Sequence, residues 1–166
     1  MRTEQRGLTL LETSTAISLT AIVAIVAVPV LRRELRGSHQ AEAREALLRI
    51  GEGAAAYARQ PKHKRTLPDA IARTPADVPR GVAVVVPPEG WESWRTLGVE
   101  VLPNGAPQRY AYSFVRPMAE TPAFEAVAEG DLDGDGVLAR ATLRGSLGPD
   151  GSVQLAPDAE FVDALE

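Results

Sequence analysis

The chain has 166 residues, of which 45% are hydrophobic and 24% charged, and its formal net charge is −4. That length suits one modest domain and an added segment, with enough apolar side chain to build a core. The acidic balance argues against nucleic acid as a main ligand, and the absence of cysteine excludes disulfides, thiolate metal sites and thiol nucleophiles.

In chain order, the first element is an apolar run. No formal charge occurs from Thr13 to Leu31, and the run stops at Arg32-Arg33-Glu34-Leu35-Arg36. As a helix rising ~1.5 Å per residue, such a run crosses a bilayer core of ~30 Å. It exceeds the ~7–15 apolar residues of a secretory signal. It also ends in Pro29-Val30-Leu31-Arg32, with no small-residue cleavage site. Arginines flank both sides (Arg2 and Arg6; Arg32, Arg33 and Arg36), so charge counting does not orient it. Glu12 opens the run. It reads either as an interfacial charge or as a carboxylate that needs a partner, since a bare one in hydrocarbon costs about 2.5–3.5 kcal/mol.

The polar stretch Met1–Gly7, then Leu8-Thr9-Leu10-Leu11-Glu12, then the apolar run with Pro29 near its end, resembles the class III signal of type IV prepilins and type II secretion pseudopilins. The resemblance covers roughly residues 1–31 and extends plausibly to Ala58. It implies cleavage by a membrane peptidase between Gly7 and Leu8 and methylation of the new Leu8 amine. It implies that Glu12 sits at the family's glutamate and Pro29 at its helix-kinking proline. Leu8 replaces the usual Phe, and Ala21 stands where many members have Gly. Loss of residues 1–7 removes two positive charges and one negative, leaving −5. If subunits stack with an axial offset, the Leu8 amine of one reaches the Glu12 carboxylate of the next. In a low-dielectric core, breaking such a pair costs roughly 3–5 kcal/mol, so the pair fixes register between copies.

From Gln40 to Gln60 the pattern predicts an amphipathic helix, with Ala43, Leu47, Ile50, Ala54 and Tyr57 on one stripe. Glu45 and Arg49 have the favourable i,i+4 order. Joined to the apolar run, this gives one helix over 8–58, with a transmembrane half at 8–31. Pro29 and Gly37 are its weak points, with a kink or melted turn expected between them. Residues 59–98 read as a Pro-punctuated loop region. Within it, Val82–Val86 is a candidate strand and Glu89–Gly98 a helical turn capped by Gly98. Trp91, Trp94 and Leu97 share one side of that turn, either as a partner or sugar platform or as a small core. Lys62–Arg65 reads as a solvated loop or a contact for acidic lipid, DNA or a neighbour's acidic surface.

Residues 99–166 alternate and turn as hairpins do, with strands expected at Val99–Leu102, Gln108–Val115, Ala123–Glu129, Val137–Leu143 and Val153–Leu155. The predicted class is α+β, with the long helix covering an antiparallel sheet of about four strands. The resemblance implies that residues 1–7 are a cleaved leader, and 59–166 are expected to form the head.

Asp131-Leu132-Asp133-Gly134-Asp135-Gly136-Val137 matches the first half of an EF-hand-type calcium loop, with Val137 able to add its carbonyl. Thr142 stands where the bidentate Glu belongs. An Asp/Gly-rich hairpin turn explains the same residues, so both readings stand. His39 and His63 read as solvated, and no HExxH, GxSxG or Walker-type loop supports an enzyme.

The expectation is a pilin, major or minor, of a type IV pilus-like filament, with a type II secretion pseudopilin as the alternative. A membrane-tethered calcium- or ligand-binding module that does not polymerise is the competing class. The resemblance implies an inner-membrane single-pass precursor with a cytoplasmic N-terminus, then an extracellular or periplasmic filament. Its implied partners are other pilin-like subunits, the prepilin peptidase/methylase and an inner-membrane assembly platform.

Overall fold

The computed structural model describes residues 9–63, 66–103, 105–118 and 122–163, without the side chains of Pro29 and residues 32–36. It divides into two units, Met1–Ser38 and His39–Glu166. Helix α1, Leu10–Arg59, begins in the first and ends in the second.

In the first unit α1 is apolar and uncovered. Leu10–Val28 is long and apolar enough to cross a membrane, and none of it is buried. Its backbone stays helical through Pro29 and Gly37, so the melted turn expected between them is absent.

The second unit is α+β. Its antiparallel sheet has six strands, not four: β1 Ile71–Thr74, β2 Ala111–Val115, β3 Ala123–Gly130, β4 Ala139–Leu147, β5 Val153–Leu155 and β6 Glu160–Val162. They run in the order β1-β2-β3-β4-β5, and β6 shares the outer side of β4 with β5. The registers Tyr112–Ala128–Ala141 and Phe114–Ala126–Leu143 put one face of the three central strands toward α1. Alanines at 126, 128, 139 and 141 let the helix come close, while Tyr110, Tyr112, Phe114 and Phe124 fill the core. Ala43, Leu47, Ile50 and Ala54 are fully buried as predicted, Ala46 and Ala58 are buried beside them, and Tyr57 is half-buried. Gly51 lies where a Cβ would meet Leu143 and Leu155 at 3.1 Å, so its lack of a side chain permits the helix–sheet approach.

Three expectations need correction. The region 59–98 is not all loop, since it contributes edge strand β1. Val82–Val86 is no ladder strand; only Val84 pairs, with Gln108. Val99–Leu102 is no strand either: Val101 is buried, and Val99 and Leu102 pack beside the core as a loop. The segment Pro88–Leu97 forms a 3-10 helix that ends at Gly98 with φ 67°, as expected. At three residues per turn it stacks Trp91, Trp94 and Leu97 on one side.

Candidate functional site

Three places carry the predicted chemistry. The first is the start of α1. Gly7 and Leu8 lie outside the described residues, so the processing site and one half of the register pair have no geometry here. Glu12 is described. The Thr9 N–H and Thr9 Oγ1 each donate to Glu12 Oε2 at 2.8 Å, and the Glu12 N–H donates to Thr9 Oγ1 at 3.2 Å. This reciprocal arrangement is a capping box, which satisfies donors that a helix start otherwise leaves open. The sequence carries its signal as Thr9-x-x-Glu12, ahead of the apolar run. Glu12 therefore has local partners in the isolated chain. After it come exposed Ile17, Leu19, Ile22, Val23, Ile25 and Val26.

The second place is the turn between β3 and β4. Oxygens of Asp131, Asp133 and Asp135 lie within 4.8 Å of one another. Each acid already serves the turn. Asp131 is 1% exposed and accepts the Gly134 N–H at 2.7 Å on one oxygen and the Gly136 N–H at 3.0 Å on the other. Asp133 accepts from Asp135 N–H at 3.1 Å, and Asp135 from Val137 N–H at 2.7 Å. Gly134 and Gly136 have φ of 86° and 97°, which L side chains rarely adopt. Asp133 and Asp135 are exposed residues, each with a second carboxylate oxygen beyond the one used in the turn, and none of the three forms an ion pair among the described residues. These are the oxygens that a hard cation takes. Thr142 is a buried β4 residue paired with Val127 and Glu160, so it offers the turn nothing.

The third place is the aromatic helix. Trp94 is 1% exposed, and its Nε1 donates to the Thr74 hydroxyl at 3.0 Å. Trp91 is half-buried with its ring 6.2 Å from that of Trp94. The pair ties the helix to β1, which favours the small-core reading over an open platform. His63 stacks on Tyr57 at 3.6 Å. His39 is half-buried, and burial, then the nearby Arg109, hold its pKa down.

One polar group gave no sequence signal. Glu42, on α1, accepts the Arg109 N–H at 3.0 Å, and burial pushes its carboxyl pKa up. Burial and the Glu42 charge also push Tyr110 up to about 12, and Tyr112 higher still. Both polar atoms of the Gln108 side-chain amide are buried without a hydrogen-bond partner among the described residues.

No family model, no curated protein and no solved structure matches this chain.

Proposed function

We propose that this chain is a structural subunit of a type IV pilus-like filament, cut after Gly7 and held in the inner membrane before assembly. The observation that carries the reading is the uncovered Leu10–Val28 helix, which opens on a carboxylate at Glu12. Exposed apolar surface of this extent requires a bilayer or other helices around it. In the assembled state the Leu8 amine of one copy meets Glu12 of the next, and α1 helices replace lipid as neighbours. The sheet-bearing heads then form the outer wall. Calcium is the ion we assign to Asp131, Asp133 and Asp135, with the Val137 carbonyl as a further ligand. A type II secretion pseudopilin is the second reading, favoured by an acidic turn in a chain that has no cysteine to staple its C-terminal region.

Mass spectrometry of the mature N-terminus tests the reading. The expected species starts at a methylated Leu8; an intact Met1 overturns it. Glu12→Ala then separates filament from tether. A filament subunit stays in the membrane fraction and stops assembling, whereas a tethered binding module is indifferent to the change.

A further inference from the structure

The 3-10 helix Pro88–Leu97 and the segment that follows Gly98 enclose a pocket of about 180 Å³. Three residues per turn put Trp91 and Trp94 together on the helix side of it. Val99, Val101 and Leu102 line the rest of its interior. Arg95 and Glu100 line it as well, and both are exposed, so they stand at its mouth.

Packing fixes the walls. Trp94 is held by its hydrogen bond to Thr74, and Val101 is 2% exposed. Val99 lies so close to α1 that a Cβ on Gly53 would stand 2.8 Å from its side chain. A pocket held in this way exists before a ligand arrives, so binding requires little further ordering. Trp94 is spent on the core, but Trp91 is not. It is half-buried, and its Nε1–H has no hydrogen-bond partner among the described residues. An indole N–H this far out of water usually finds one. The helix therefore offers no open platform; it offers one wall of a pocket.

The two charges at the mouth do not pair with each other. Arg95 instead approaches Glu92 at 3.9 Å, with both side chains well exposed, a contact that holds it only weakly. Glu100 forms no ion pair among the described residues. These features set the chemistry of a ligand. Aromatic and aliphatic walls call for an apolar face. A free indole N–H, a guanidinium and a carboxylate call for groups that both give and accept hydrogen bonds. The opposite charges cancel: Glu100 repels an anion drawn to Arg95, and Arg95 repels a cation drawn to Glu100, so a neutral molecule is favoured. The volume is well below the ~300–1,000 Å³ of drug-sized sites, which leaves room for about one ring. A pyranose answers each requirement. Its C–H groups make an apolar face whose slightly positive hydrogens suit the negative face of an aromatic ring, and its hydroxyls lie around the edge.

We propose that this pocket binds a neutral hexopyranose, with its C–H face against Trp91 and its hydroxyls bridging Glu100 and Arg95. The site lies wholly in the second unit, so the inference holds whether or not the chain polymerises.

The chain has two tryptophans, and both line this pocket, so its intrinsic fluorescence reports on nothing else. The full chain in a zwitterionic detergent, which carries no sugar, is titrated with glucose, galactose and mannose. Cyclohexanol, which keeps a ring and loses all but one hydroxyl, and leucine, a zwitterion with an apolar side chain, are titrated in parallel. The expected result is a saturable emission change with at least one hexose, in the millimolar range usual for so small a ligand. Glu100→Gln should weaken it about tenfold, the worth of one hydrogen bond to a charged group. Trp91→Leu, read through Trp94, should weaken it by a similar factor while keeping an apolar wall. Both positions lie outside the buried core, and an unshifted thermal midpoint confirms that the fold is kept. No saturable change with any hexose overturns the proposal. So does tighter binding of cyclohexanol or leucine than of every hexose, which marks an apolar or amino-acid pocket. Hexose binding that both variants leave untouched overturns it as well.

Discussion

Glu42 is a carboxylate held partly out of water. It is half-buried against the start of β2, one oxygen accepts the Arg109 N–H, and Tyr110 and Tyr112 stand nearby. Its pKa in the folded chain lies above the ordinary glutamate value because burial penalises the carboxylate. The folded state therefore holds a proton more tightly than the unfolded state, so Glu42 favours folding most when protonated. Its contribution declines as pH rises from the ordinary value through the raised one. Glu42→Gln keeps an acceptor for Arg109 and cannot ionise. In detergent, its midpoint relative to the parent chain should rise with pH across the range from the ordinary glutamate value to the raised one. A difference that is flat across that range would show that the carboxylate is solvated after all.

At the scale of elements, glycine separates a tight contact from an open one. Gly130 ends β3, and a Cβ there would sit 2.6 Å from the Arg109 carbonyl oxygen, a backbone atom that cannot swing aside. Gly130→Ala should lower stability by about 1–3 kcal/mol, the usual cost of overpacking. Gly37 lies within α1, and a Cβ there would meet nothing within 4 Å. Gly37→Ala should strengthen the helix by roughly 1 kcal/mol through propensity alone. Thermal unfolding for the first and amide exchange across residues 33–41 for the second check the two signs. The outer face of the sheet follows another rule, in which crossed ion pairs replace packing. Glu129 bridges Arg73 and Arg140, and Arg144 bridges Glu125 and Glu160. These pairs are exposed or half-exposed, so each contributes ~0–1 kcal/mol and the face is tuned more by charge pattern than by strength.

For the whole molecule, the question is what holds the C-terminal region without a disulfide. Part of the answer is β4, whose outer side receives both β5 and β6, with Arg44 reaching Asp158 at 2.9 Å to tie the last strand to α1. The Asp131 turn adds to it by pinning Pro79 and Gly81 through backbone bonds, and the calcium we propose at its carboxylates would add more. An ion that binds only the folded chain stabilises all of it by mass action, about 2.7 kcal/mol at a hundred times the dissociation constant. Adding calcium should therefore raise the unfolding midpoint and chelation should lower it, with Asp133→Asn removing the response. A midpoint indifferent to chelation leaves the turn as a hydrogen-bonded hairpin and nothing more.

The sequence by itself determined the features that repeat along the chain. The uncharged run over Thr13–Leu31 is long enough to need covering whatever surrounds it. The stripe Ala43, Leu47, Ile50 and Ala54 is buried because a period of 3.6 residues aligns those positions on one face. The turn glycines Gly98, Gly134 and Gly136 were legible because only they accept the left-handed backbone at those positions. Of the candidate sites, the three aspartates could be read as converging, since alternate positions in a tight turn point the same way. Tertiary structure decided the rest. β1 and β6 are four and three residues long, too short for a period to show, and they exist because a neighbouring strand offers hydrogen-bond partners. Val99–Leu102 has a strand's composition yet folds as a loop, because burying Val101 against the core outweighs pairing. The raised Glu42 carboxyl depends on Arg109 and Tyr112, residues far from it in the chain. Local patterns report what one segment does with its own neighbours, whereas burial and charge at a site depend on which distant segments arrive there.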